Sequence, residues 1–335
     1  LGNLNLEPEL NTTYEGGINL KFFRNKIDLD LTYYFKKSTN LLVLRPLAGS
    51  TGFQDVYTNI GAMENKGWEI ELGLHPIATK RFKWDIEANF TANRNKVTKL
   101  AEGVDEINIE TAFASIGSFA IVGQPYGALY STRWARTSDG QLLIKANGLP
   151  ALEPLRGNVG NPYPDWTAGI RNVFEIYGVG ISALLDIRQG GALWNGTYAR
   201  LNRFGTTQAS ADRDHTYVIK GVKITGTDDE GNPISDGTPN DIEISANSYY
   251  SNYVGDSGAA AVEQTVQEGS WVRLRELTLS YNIPLRNRYV RGINVFATGR
   301  NLWLSTDYTG VDPETSLTGA GSNVGGFDYF NMPST

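Results

Sequence analysis

The sequence predicts an all-β protein whose long antiparallel strands cross a membrane as a transmembrane β-barrel, with large loops at one end. Three observations carry this reading. Apolar and polar residues alternate over runs of about ten residues, whereas ordinary strands run about 5–6 and a tilted strand crossing a bilayer needs roughly 9–11. Short turns join consecutive runs, and long polar connections occupy the opposite ends. Glycine is abundant (37 of 335 residues), aromatics make up 11%, charged residues only 20%, and cysteine is absent.

The strands follow in order. One runs from about Thr12 and turns at Phe22-Phe23-Arg24-Asn25. Between Lys26 and Lys36, Ile27, Leu29, Leu31, Tyr33 and Phe35 share one face, with Asp28, Asp30, Thr32, Tyr34 and Lys36 on the other. From Gly67 to His75 the apolar set is Trp68, Ile70, Leu72 and Leu74, against Glu69, Glu71, Gly73 and His75. Residues 76–81 connect it to Trp84, Ile86, Ala88, Phe90 and Ala92, which alternate with Asp85, Glu87, Asn89, Thr91 and Asn93. A strand from about Asp165 turns at Tyr177-Gly178 into Val179, Ile181, Ala183, Leu185 and Ile187. In Trp271–Ile283 the apolar phase flips near Arg275-Glu276. A one-residue bulge would restore one face; alternatively, Trp271–Leu274 lies beyond the apolar band. About nine strands are counted in all. Residues 38–62, 94–120, 190–215 and 224–268 read as long connections, with one short helix near Ala246–Tyr253.

The apolar face is expected to touch lipid and the polar face to line a lumen, with Tyr33, Phe35, Trp68 and Trp84 at interfacial girdles. Cancelling faces explain a mean hydropathy of −0.31. Alternation alone also fits an extracellular β-sandwich, serving as an adhesin or glycan-binding module.

Composition excludes several functions. Without cysteine there is no disulfide scaffold, thiolate metal site or cysteine nucleophile. Two histidines argue against a histidine-built metal site, and a net charge of −6 against a nucleic-acid surface. No apolar run of about 18 residues offers a transmembrane helix, and Leu1–Asn5 lacks the basic start and apolar core of a signal peptide. No P-loop, dinucleotide fingerprint or G-x-S-x-G elbow is present. Asp228-Asp229-Glu230-Gly231-Asn232 lacks EF-hand spacing. Glu69 with Glu71, and Asp85 with Glu87, could be paired for glycoside hydrolysis, but on alternating strands they read as lumen-facing. His75 continues that polar face, and His215 has no partner cluster in its loop. The expectation is a non-enzyme with no cofactor or metal. Candidate contacts for a ligand or partner are the loop aromatics Trp194, Tyr198, Tyr249, Tyr250 and Tyr253; the competing reading has them packing loops onto one another.

Seven segments resemble the SusC/RagA family of TonB-linked outer-membrane transporters. Asn5-Leu6-Glu7-Pro8-Glu9 with Thr13–Gly17, and Ile27–Tyr34, resemble its strand entry and next strand. Asn59–Glu69 resembles N-x-G-x-x-x-N-x-G-x-E, Gly160–Trp166 resembles G-N-x-x-P-D-W, and Asp186–Gly191 resembles D-x-R-x-G-G. Glu268–Tyr281 resembles D-x-S-F-x-R-L-R-x-L-x-L-x-Y; Gly299–Leu302 with Tyr308–Glu314 resembles the ending G-x-N-L … Y-x-G-x-D-P-E. The resemblance covers nearly the whole chain and implies the C-terminal part, residues 1–335, of a 22-stranded barrel. No plug, TonB box or preceding carboxypeptidase-like domain is seen, and the strand expected after Met332-Pro333 is missing. Nine strands with open edges would not persist in lipid, so a longer polypeptide is expected. The resemblance further implies an outer-membrane location, a SusD-like lipoprotein as lid, energy drawn through TonB, a glycan or peptide cargo, and paired transporter–lipoprotein units.

Overall fold

The computed structural model describes residues 3–46, 49–53, 55–101, 103–113, 116–285, 289–290, 292–318 and 325–332. Residues 333–335, where the missing strand was expected, lie outside the described residues.

Alternation becomes one eight-stranded antiparallel sheet, with neighbours in chain order. Its strands are β1 (Leu10–Phe22), β2 (Ile27–Pro46), β3 (Asp55–Ala78), β4 (Phe82–Lys99), β5 (Trp166–Ile176), β6 (Val179–Gln189), β7 (Trp271–Pro284) and β8 (Gly292–Thr306). Eight such strands are described, where about nine were counted. Among the described residues β1 and β8 are the outer strands. The β5–β6 hairpin turns on Tyr177 and Gly178, with φ of 48° and 85°, the left-handed pair that matches strand twist.

Two expected loops are instead strand. β2 continues to Pro46 and β3 begins at Asp55, so the connection assigned to 38–62 shrinks to residues 47–54. The connection assigned to 94–120 contains the end of β4 and the strands Glu106–Phe113 and Ile116–Ile121. Beyond an apolar band a strand has no reason to alternate, so the period-two signal stops while backbone pairing continues. A bulge at Asn40 (φ 56°) shifts the β2–β3 register there. Side chains catch the backbone it disturbs. Glu9 Oε1 accepts from the Leu42 N–H at 2.8 Å. Asn59 Nδ2 donates to the carbonyls of Asn40 (2.8 Å) and Glu7 (2.6 Å), and Asn59 Oδ1 accepts from the Glu7 N–H at 2.7 Å.

The register carries an apolar row across the strands. Leu29 pairs Leu72, Leu72 pairs Ala88, Ala88 pairs Ile170 and Ile170 pairs Leu185. Pairing with β6 slips between Leu184 and Leu185, leaving Arg275 as the extra residue of a bulge; on the other side two residues of β8, Asn301 and Leu302, lie opposite it. That resolves the flipped phase: Leu274 and Leu277 now lie on the same face.

Among the described residues no buried core lies on the apolar face. Ile27, Leu29, Leu31, Ile86 and Phe90 are all partly exposed and belong to no buried cluster. Ile18 and Leu279 are half exposed. Aromatic pairs mark its two levels, Trp84 on Phe174 at 5.6 Å and Tyr33 on Trp68 at 4.7 Å. On β4 the levels fall at Trp84 and Ala92, the partner of Trp68; eight residues span about 27 Å along a strand. At a strand tilt of about 40° that is about 21 Å of height, which fits within a lipid-facing band about 25 Å tall.

The core sits in the loops. Glu106–Phe113, Ile116–Ile121, Ala128–Ser131 and Gly157–Gly160 form a four-stranded sheet. Strand Ala192–Asn195 pairs with Val266–Glu268 and with Phe327–Asp328. Two helices follow, α1 (Gly196–Arg203) and α2 (Ala246–Asn252). α2 lies where a helix was expected; α1 was read as connection. Trp134, Leu142, Ile144, Leu149, Ile219 and Ile244 pack into one cluster, and Ile116, Leu129, Trp194 and Phe327 into another.

Candidate functional site

The polar face forms registered rows. One runs Lys21–Asp28–Gly73–Glu87–Arg171–Leu184–Glu276–Arg300 across all eight strands. The next runs Asn19–Asp30–Glu71–Asn89–Gly169–Asp186–Arg273. Both rows border a concavity of about 570 Å³. Its sides are tied by ion pairs: Lys21–Asp28 at 3.6 Å, Arg171–Glu276 at 3.6 Å and Arg300–Glu276 at 3.3 Å. Toward the short turns His75 lies 2.6 Å from Asp85 and 3.5 Å from Asp28. Among the described residues Glu71 and Glu87 have no ion-pair partner, so this wall presents bare carboxylates to whatever fills it.

Where wall meets loops, the bulge projects a second arginine. Arg275 Nη2 pairs with Asp186 and with Glu314, each at 2.7 Å. Arg273 pairs with Asp312 at 2.6 Å and Glu314 at 3.1 Å. Both guanidiniums lie over the Trp271 ring, at 5.4 and 5.3 Å. The segment after β8 is therefore drawn onto the rim by charge. A buried hydrogen bond from the Tyr308 hydroxyl to Asp328 (2.5 Å) fixes its base. Burial and the facing Asp328 hold the Tyr308 hydroxyl above the usual tyrosine range. Sequence reasoning quoted Asp186, Arg273, Arg275, Asp312 and Glu314 within motifs but assigned them no partners.

Four of the five loop aromatics lie in the packed interior of the loops. Trp194 is buried, stacks on Tyr329 at 6.1 Å and donates to Thr265 Oγ1 at 3.1 Å. Tyr249 stacks on Tyr217 at 4.0 Å, and Tyr253 on Trp134 at 5.7 Å. Tyr250 is buried; its hydroxyl lies 3.0 Å from that of Tyr217 and donates to the Ala209 carbonyl. Burial raises the hydroxyl pKa of all three tyrosines. Tyr198 on α1 is partly exposed. Asp228 is spent on its own loop, accepting from the Asn232 N–H at 2.7 Å and its Nδ2 at 3.0 Å. Among the described residues no three His, Cys, Asp or Glu side chains gather as metal ligands.

Comparison with known proteins gives concordant results. The family described as TonB dependent receptor-like, beta-barrel, matches residues 1–302. TonB-dependent receptor P3 of Formosa agariphila is 27% identical over 366 aligned positions, covering 99% of this chain and 33% of that protein. TonB-dependent receptor SusC of Bacteroides thetaiotaomicron is 38% identical over 104 residues, covering 31% of this chain and 10% of SusC. The chain thus spans about a third of the length of the P3 receptor. Among solved structures, the RagAB peptide transporter superposes with a TM-score of 0.64 at 20% identity, over 95% of this chain and 34% of that one. The RagAB peptide importer in its open-open state gives 0.65 at 20% identity, over 96% and 33%. These likenesses establish the fold.

Proposed function

Because the chain belongs to the TonB dependent receptor-like β-barrel family, with a SusC relative and RagA-type fold neighbours, we propose that it builds wall, lumen lining and mouth of an outer-membrane nutrient importer. The observation that carries the proposal is the two-faced sheet. Hydrocarbon covers the face bearing Leu29 and Ile86, and water with cargo fills the face bearing Asp30 and Glu71. A continuous polar lining keeps charged or hydrogen-bonding cargo solvated across a band that would otherwise exclude it.

On this reading the cargo is too large for passive pores, an oligosaccharide or a peptide. The peptide named for RagAB supports the second class; the first is what the resemblance to the SusC/RagA family implies. A SusD-like lipoprotein closes the mouth, and TonB supplies energy to a plug seated in the lumen. Plug and TonB-contacting segment fall to the other two-thirds of such a receptor. This chain's residues do no covalent chemistry; they line, steer and release.

Fractionation of the native host with antibody against this chain tests the location, and tagged purification tests the partner. The expected result is recovery in outer-membrane detergent extracts together with a surface lipoprotein, and loss of uptake of one glycan or peptide class on gene deletion. Recovery as a monodisperse detergent-free protein would end the importer reading.

A further inference from the structure

A small cavity of about 160 Å³ lies in the loop layer, between the end of α1, the short turn Gln208–Ser210 and the start of α2. It is lined only by neutral and cationic residues, with no Asp or Glu. Asn202, on its wall, is wholly buried. Its Oδ1 accepts from the Thr207 hydroxyl at 2.8 Å. Its Nδ2 has no hydrogen-bond partner among the described residues. A buried amide donor is almost always satisfied in a folded protein, so an orphan one marks a place where another group completes the site.

Two arginines line the cavity. Arg213 gives one N–H to the Gly205 carbonyl at 2.8 Å and has no carboxylate partner among the described residues. Four of its five donors remain. Arg203 is 3.5 Å from Asp256, a loose pairing. Beside them the ring of Phe204 is 64% exposed, with Arg200 and Arg203 flanking it at 5.9 and 6.0 Å. Donors without acceptors, one arginine without a counter-charge and an exposed apolar ring therefore meet at one spot.

We propose that this cavity is a subsite for an acidic sugar residue, taking its oxygen anion, a carboxylate or a sulfate ester, between Arg213 and Arg203, with the sugar's apolar face against Phe204. The volume is well under the roughly 300–1,000 Å³ that holds a drug-sized ligand, so the site grips the end of one residue and leaves the rest of a chain outside. Charge complementarity and bidentate geometry favour arginine for such a group. The flat exposed ring beside the donors favours a sugar over an acidic peptide side chain. The subsite rests on the importer reading, which turns this layer toward incoming cargo, but its test measures binding without transport.

Calorimetric titration of the intact protein in detergent with glucuronate, glucose 6-sulfate, glucose and N-acetylglutamate distinguishes the cases. Saturable binding of one or both acidic sugars, weakened by added salt, is expected, with glucose and N-acetylglutamate inert. Arg213→Glu, on an exposed side chain, should cut that affinity by at least about tenfold while circular dichroism is unchanged. Phe204→Ala should weaken it by a smaller factor. Absence of saturable binding of both acidic sugars at about 100 mM, an affinity indifferent to Arg213→Glu, or equal binding of glucose or N-acetylglutamate would overturn the subsite. A positive titration with no uptake phenotype would refute the importer and leave the subsite standing.

Discussion

Arg273 and Asp312 stand 39 residues apart in sequence and meet in a 2.6 Å ion pair whose side chains are 4% and 6% exposed. The pair joins strand β7 to the segment after β8. Burial of two charges is tolerated because each has further partners, Glu314 and the Trp271 ring for Arg273 and the Glu314 N–H for Asp312 (2.9 Å).

Removing one partner strands the other. Asp312→Ala should cost about 3–5 kcal/mol and release the segment around residues 307–318. The double change Asp312→Leu with Arg273→Met should cost clearly less than the sum. Thermal unfolding in detergent and limited proteolysis of that segment check it; simple additivity would show that the two residues act independently.

The assignment of faces is tested on β2. Leu29→Arg places a cation against mid-bilayer hydrocarbon and should impair assembly by roughly 2–4 kcal/mol. Asp30→Asn, on the polar row, should assemble normally. Heat-modifiable migration of membrane-inserted protein reads both, and equal tolerance would contradict the assignment.

The bulge makes an unusual deletion acceptable. Without Arg275, Leu274, Glu276 and Leu277 alternate regularly and pair in step with β6, so the faces survive, while Asn301 and Leu302 of β8 lose the residue opposite them. Deleting Arg275 should therefore permit insertion but lose the contacts to Asp186 and Glu314. Deleting Thr278 should turn half of β7 inside out and block insertion. Comparable insertion of the two deletion variants would mean that the phase of β7 does not matter.

Alkaline pH should loosen the loop layer before the wall. The Tyr308 hydroxyl is held above its unfolded value of about 10 by burial and by Asp328. A group whose folded pKa is raised contributes stability fully present below its unfolded pKa and lost as pH rises beyond it. Stability should thus be flat up to about pH 10 and fall above, with Tyr249, Tyr250 and Tyr253 adding to the fall. Tyr308→Phe should lower stability at neutral pH by about 1.5–3 kcal/mol, the range of a hydrogen bond to a charged group, and make the alkaline fall shallower. Thermal scans at several pH values check both, and an unchanged alkaline slope would remove Tyr308 from the account.

The sequence by itself determined the wall. Period-two alternation is local, so Ile27–Phe35 and Trp84–Ala92 declare their two faces without any partner; the phase slip near Arg275 is compatible with a bulge, which the strand register then decides. It also located α2 and the Tyr177-Gly178 turn, both set by residues adjacent in the chain. Only the tertiary structure decided how far β2 and β3 extend past the apolar band, because pairing there rests on backbone bonds that leave no periodic trace. It alone decided that Trp194 and Tyr250 are buried, since segments as far apart as Ile116 and Tyr329 supply the neighbours that cover them. The charge pairs were invisible for the same reason: Arg275 meets Asp186 across 89 positions, and Coulomb attraction depends on distance in space, which strand register sets and sequence separation does not.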